Sequence, residues 1–384
     1  MAGPSERQPA VFPENEKRAA ERDARHDSAA RGRTGDPAAV QHYLARRREE
    51  EVRRAAPVPG VSTESSPRPE QHFRPRVVVG VDDSPEARLA LAAALVDAAG
   101  RGAELDVVTA YPPVTIWSGG IAYVPEQAAS IRAAAERRVR TVVDEVLSGP
   151  PARIPGIDTV DIRVVGIEGH AAPVLIAAAD GADLLVVGSR GRGGVRSVLL
   201  GSVALHCLSH APCPVLVIHD AHPTARPLRV VAGFDASPGS RAALAAAVDE
   251  ATRVGGEVEV LACYSVTDDW QGLEHVTGPS AEQTRTYVEQ TVAAAVQDAV
   301  AGRTEAPVIR TVVELGPARD VLVAHARGAH RLVVGSHGHG TVHGLLLGSV
   351  ALHCAMHAPS PVLVVRPLPG VVEGTPAREE PALV

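Results

Sequence analysis

The chain has too little of several things to be some common kinds of protein. Its four cysteines, at positions 207, 213, 263 and 354, show no CxxC or similar metal spacing and are too few in 384 residues for a disulfide framework. Reduced, buried thiols are the expectation. No apolar run reaches the roughly 20 residues that span a bilayer, and the opening MAGPSERQPAVFPENEKR lacks the apolar core of a signal peptide. A cytoplasmic chain with no membrane partner is expected. Excess positive charge is missing too: the net charge is −7, and because Met1 to Arg76 carries 15 Lys or Arg against 12 Asp or Glu, the remainder stands near −10. Such an acidic body argues against nucleic acid as a partner.

What is present falls into four stretches. Residues 1–75 contain one Leu and no Ile among many Arg, Glu, Ala and Pro, too little apolar surface to offset the entropy of ordering, so a disordered arm is expected. Within it, DPAAVQHYLARRREEEVRRAA has Asp36 as N-cap and Pro37 in the first turn, with Arg46–Glu50 and Arg47–Glu51 at i,i+4 spacing. Val40, Tyr43 and Leu44 form its whole apolar face, which predicts a solvated helix; removal of residues 1–75 is expected to leave melting and ligand binding nearly unchanged.

From Arg76 short Val/Leu runs alternate with Ala-rich helical stretches. VVVGVD, ELDVVTAY, VDIRVVGI, DLLVVGS and PVLVIH read as strands, and SPEARLALAAALVDAAGRGA as a helix capped by Ser84. Strands this uniformly apolar, separated by helices, indicate a parallel sheet covered on both faces. The order then restarts at LRVVAGFDASPGSRAALAAAV and runs through EVEVLACYS, VIRTVVEL, RLVVGS and PVLVV; VLLGSVALHC and LLLGSVALHC differ at one position. The expectation is an α/β chain of two tandem domains, 76–220 and 227–366, each an open, mostly parallel five-stranded sheet with helices on both faces, followed by a disordered tail, 367–384.

The Gly-rich stretches GSRGRGGVRSVLLGS (188–202) and GSHGHGTVHGLLLGS (335–349) carry the chemistry. No Lys precedes Ser202 or Ser349, so neither is a P-loop, and Arg196 and His343 stand where a dinucleotide fingerprint needs its third Gly. The shared pattern is G-x2-G-x9-G-S: Gly188, Gly191, Gly201, Ser202 and Gly335, Gly338, Gly348, Ser349. Glycines at a strand's carboxyl end let the backbone turn and a ligand approach, and the closing Gly-Ser opens a helix whose free N–H groups attract anions. The bland alternative is a tight turn with Ser202 and Ser349 as N-caps. Three cations per stretch, Arg190, Arg192 and Arg196 against His337, His339 and His343, favour phosphate. Since histidine titrates near pH 6.5 and arginine does not, the second stretch is expected to gain charge on mild acidification.

These motifs, with V-D-x-S after the first strand and a closing PVLVV, resemble the universal stress protein family in its tandem, ATP-binding form, over about residues 76 to 366. The resemblance implies a Rossmann-like fold of five parallel-type strands per domain and pairing through the last strand, within the chain or in a homodimer. It implies ATP on Gly188, Ser189, Arg190, Gly191, Arg192, Gly193, Gly194, Gly201, Ser202 and Val203, and again on Gly335, Ser336, His337, Gly338, His339, Gly340, Thr341, Gly348, Ser349 and Val350. Gly80 with Asp82 and Gly233 with Asp235 match positions that close over the nucleotide, and Tyr111 and Tyr264 match those where backbone meets adenine. Phe234 replaces Val81, a change of packing.

Asp82 and Asp235 have two readings, service to the turn or reach to a ribose hydroxyl or Mg²⁺. His206/His210 and His353/His357 have metal-like i,i+4 spacing without a third ligand, and imidazole is favourable at a helix C-terminus in any case, so no metal is expected. No strong base or nucleophile accompanies the turns. The expected function is nucleotide-dependent regulation of stress response or dormancy; the alternatives are a slow ATPase or adenylyl or phosphoryl transferase, and an interaction module for another anion such as cyclic AMP.

Overall fold

The computed structural model describes residues 41–47, 74–111, 125–191, 200–219, 225–265, 280–338 and 347–367. The first half runs β1 (Arg76–Gly80), α1 (Pro85–Arg101), β2 (Glu104–Tyr111), α2 (Pro125–Leu147), β3 (Ile162–Glu168), α3 (Ala171–Ala178), β4 (Leu184–Gly188), α4 (Ser202–His210) and β5 (Val215–Ile218). The second repeats it: β6 (Arg229–Phe234), α5 (Pro238–Val254), β7 (Glu257–Tyr264), α6 (Ala281–Val300), β8 (Val308–Leu315), α7 (Ala318–His325), β9 (Arg331–Gly335), α8 (Ser349–His357) and β10 (Val362–Val365).

Local chemistry sets the boundaries. Ser84 Oγ accepts the Ala87 N–H at 3.1 Å and Ser237 Oγ that of Ser240 at 3.1 Å, capping α1 and α5, each with Pro at its first position. Gly102 and Gly255, at φ of 61° and 63°, close the same helices in the left-handed region that a side chain disfavours.

The two halves form one continuous sheet in the order β3-β2-β1-β4-β5-β10-β9-β6-β7-β8. Pairing is parallel within each half and antiparallel across the β5–β10 joint, where Leu216 faces Leu363. Two more bonds tie the joint: His219 Nε2 lies 2.8 Å from the Ala355 carbonyl oxygen, and Arg366 Nη2 donates to the Leu208 carbonyl at 2.7 Å. Helices α1, α2, α5 and α6 pack on one face around Leu91, Leu95, Leu244 and Val248; α3, α4, α7 and α8 cover the other around Leu175, Leu208, Leu322 and Ala355. In each half the chain moves outward from the first strand and returns to its other side, so the carboxyl ends of β1 and β4, and of β6 and β9, flank a topological switch point.

The N-terminal region departs from expectation. Residues 41–47 are helical and dock on the first half, with Tyr43 only 7% exposed. Three apolar residues were too weak a signal for docking, because a buried carboxylate in the middle of β2 supplies the attraction instead. The Tyr43 hydroxyl donates to Asp106 Oδ2 at 2.6 Å and Arg47 Nη1 to Asp106 Oδ1 at 3.2 Å.

Candidate functional site

Both Gly-rich turns start at a switch point and close on themselves. Ser189 N–H donates to the Ile218 carbonyl at 2.7 Å while the Ser189 carbonyl accepts the Gly201 N–H at 2.7 Å. The second turn repeats this with Ser336, bonded to the Val365 carbonyl at 2.7 Å and to the Gly348 N–H at 2.8 Å. Each staple brings the start of α4 or α8 beside the strand end. The N-caps are Gly201 and Gly348, without a side-chain hydrogen bond, so Ser202 and Ser349 sit in the first turn rather than capping it. The first N–H groups of these helices, with the positive end of the helix dipole, therefore face the turn.

Asp82 and Asp235 follow β1 and β6 and lean across to the turns. Asp82 Oδ1 accepts the Ser84 N–H at 2.9 Å and Asp235 Oδ1 the Ser237 N–H at 3.0 Å, which is the turn-serving role. Their other oxygens lie against Gly191 and Gly338: a Cβ on Gly191 would stand 2.9 Å from Asp82 Oδ2, and one on Gly338 would meet Asp235 Oδ2 still closer. At the second glycine of the motif a side chain would therefore have to push the Asp carboxylate aside.

The two sites differ beside the turn. Arg190 Nε lies 3.3 Å from Glu86 Oε1 in the first turn of α1. The corresponding residue of α5 is Gly239, and the second turn moves into the space: a Cβ on Gly335 would stand 2.5 Å from the Gly239 carbonyl carbon. His337 there has its Nδ1 3.0 Å from Ser336 Oγ. Glu86 and Gly239 escaped sequence analysis, although SPEARLA against SPGSRAA showed the difference.

Gly80 and Gly233 end or nearly end the first strands, packed on Leu175 and Leu322. Tyr111 and Tyr264 end β2 and β7; their carbonyls accept the Gly169 and Gly316 N–H groups at 2.8 and 3.0 Å, and Tyr264 is buried in the core. Val203 and Val350 lie in the first turns of α4 and α8. Arg192, Gly193, Gly194, Arg196, His339, Gly340, Thr341 and His343 lie outside the described residues, as does the segment 368–384.

Among the described residues no three His, Cys, Asp or Glu side chains gather as for a metal. His206 and His210 stack at 6.0 Å with Nδ1 atoms bonded to the Ser202 and His206 carbonyls at 2.8 and 3.1 Å. Burial pushes the Cys207 and Cys354 thiols up to about 12, so neither supplies a thiolate near neutral pH. No helix among the described residues is long and apolar enough to cross a membrane.

The class these features define is a duplicated α/β chain with a glycine turn at the switch point of each half. The universal stress protein family model matches residues 74–219 and again 228–366. The universal stress protein Rv2623 of Mycobacterium tuberculosis is 34% identical over 311 residues, covering 76% of this chain and 96% of the relative. A universal stress protein of Mycolicibacterium smegmatis is 34% identical over 302 residues, covering 76% and 97%. The crystal structure of a universal stress protein from Archaeoglobus fulgidus superposes with a TM-score of 0.52 at 19% identity, covering 76% of this chain and 98% of that one. The chain belongs to the universal stress protein family.

Proposed function

We propose that each half binds one ATP, with or without Mg²⁺, along its Gly-rich turn, and that occupancy rather than fast turnover lets the chain regulate a stress response or dormancy. The observation that carries this reading is the paired staple: in both halves a Ser backbone holds the glycine turn against an uncapped helix start, beside an Asp whose carboxylate reaches the second glycine. Backbone N–H groups presented this way form a cradle for phosphate, and the adjoining Asp stands where a ribose hydroxyl or a phosphate-bound Mg²⁺ would be met.

Titration calorimetry tests it. Two ATP per chain are expected, one lost with Gly201→Arg and the other with Gly348→Arg, since a Cβ at either position already lies within 3.3 Å of the Ser189 or Ser336 carbonyl oxygen. A single ATP per chain, or unchanged binding in both variants, would overturn the two-site reading. Cyclic AMP binding in place of ATP would move the chain to the interaction-module reading, and Asp-dependent hydrolysis in single turnover to the enzymatic one.

A further inference from the structure

Helix 41–47 does more than cover β2. Together with α2 and the edge strand β3 it borders an open cleft of about 310 Å³, at the small end of ligand pockets. His42, Arg46, Arg47, Arg132, Arg140 and Arg163 line it, and among the described residues Glu136 and Glu168 are the carboxylates in the lining. Of the described residues assigned above to nucleotide, Tyr111 alone lines it.

The pairing of these cations is unequal. Arg47 is fixed on Asp106 and Glu104, and Arg163 Nε stands 3.9 Å from Asp106 Oδ1. On α2 one carboxylate serves three donors: Glu136 Oε1 accepts from Arg132 Nε at 2.9 Å and from the Gly166 N–H at 3.1 Å, while Arg140 Nη2 is 3.8 Å from Oε2. A guanidinium carries five N–H donors, so Arg132 and Arg140 retain most of theirs. Arg46, across the cleft, has no described carboxylate within ion-pair distance. A cation surplus with walls on two elements fits a ligand whose anionic groups are separated, because planar guanidinium forks take carboxylate and phosphate oxygens in pairs.

The arrangement is not a general product of the fold. On β8, the counterpart of β3, Val308 and Leu315 are each 60% exposed, and among the described residues no helix lies over it as 41–47 lies over β3. We propose that the first half carries a binding site for a small polyanion, a di- or tricarboxylate or a phosphate ester, held between Arg46 on the N-terminal helix and Arg132 and Arg140 on α2. Such a ligand bridges the helix to the domain, so its binding stabilises helix docking.

The test uses the full chain at low ionic strength, with citrate and inorganic pyrophosphate as separate calorimetric probes. At least one is expected to bind once per chain outside the Gly-rich turns, and Arg132→Gln/Arg140→Gln to weaken that event by about tenfold or more. The pair Gly201→Arg/Gly348→Arg is expected to leave that event unchanged, which separates the cleft from the Gly-rich turns. Bound probe is also expected to slow proteolysis N-terminal to β1. If the Gln pair melts early, Arg46→Gln replaces it, since Arg46 is exposed on the helix. No binding of either probe at millimolar concentration, binding indifferent to the Gln changes, or binding removed by the Arg pair instead would each overturn the proposal.

Discussion

Glu86 and Gly239 occupy corresponding positions at the starts of α1 and α5, and this one difference separates the two candidate nucleotide sites. Glu86 adds a negative charge beside the proposed phosphate site and engages Arg190, the described cation of that turn, at 3.3 Å. At the second site the glycine lets the turn close on the helix start, with Ser237 Oγ 3.4 Å from the His337 carbonyl. The second site is therefore expected to bind ATP more tightly. Glu86→Gln should strengthen the first site by a factor of roughly three to ten, the scale of one partly exposed ion pair, and leave the second alone. Site-resolved calorimetry in a Gly348→Arg background reads this directly; weaker binding would show that Glu86 positions Arg190 for phosphate rather than withholding it.

At the scale of elements, the N-terminal helix matters most. Asp106 is completely buried and bonded to Tyr43, Arg47 and Arg76. Loss of the helix removes two of these partners and takes Tyr43 out of the apolar cluster that also holds Val165 and Ile167. Deletion of residues 1–73 is therefore expected to lower the melting temperature by several degrees. Tyr43→Phe should cost about 1–2 kcal/mol, since a hydrogen bond to a carboxylate is lost while the arginines remain. Burial first, then Asp106, raises the Tyr43 pKa above its ordinary 10. The undocked phenol ionises near 10 and the docked one higher, so docking is retained below that pH and weakens as pH rises through it. Denaturant melts at pH 8 and pH 10.5, with and without Tyr43→Phe, check both the size and the sign.

Across the whole molecule the halves are locked by a buried ionic cluster as well as by the β5–β10 joint. Arg331 on β9 donates to Asp97 Oδ2 on α1 at 2.8 Å and stands 3.1 Å from Glu250 Oε1 on α5. Arg253 binds the same two carboxylates at 2.8 and 2.6 Å, and His330 Nε2 is 3.0 Å from Glu250. Burial alone would raise the Glu250 carboxyl, yet Arg331, His330 and Arg253 outweigh it and hold it well below the usual carboxylate range. Its folded pKa is depressed, so its contribution is present above about pH 4.5 and is lost as pH falls further. Arg331→Met, which leaves two buried carboxylates short of a partner, is expected to cost about 3–5 kcal/mol at pH 7 and to flatten the acid limb of stability between pH 5 and pH 3. Urea melts across that range measure it; an unchanged acid limb would move the acid sensitivity to other carboxylates.

Strands, helices, the Ser84 and Ser237 caps and the duplication were legible in the amino-acid order, because each rests on contacts or periodicities a few residues long: Val77 to Val79 as a buried run, the two serines as caps, and Gly191 and Gly338 in a repeated spacing; the caps of α4 and α8 were not, since they fall on Gly201 and Gly348 rather than on the serines beside them. The same order carried the family resemblance and the location of the turns. Only the tertiary structure decided which charges meet. Glu86 and Arg190 lie on different elements, Tyr43 reaches Asp106 across 63 positions and Arg331 reaches Asp97 across 234, pairings with no local signal. Joining the halves into one sheet is also tertiary, since PVLVIH and PVLVV read alike as interior strands whether they meet each other or a second chain. The folding of 41–47 onto β2 belongs there as well, because burying Tyr43 becomes favourable only where a carboxylate, itself paired with Arg76 and Arg163, already waits inside the domain to accept from its hydroxyl.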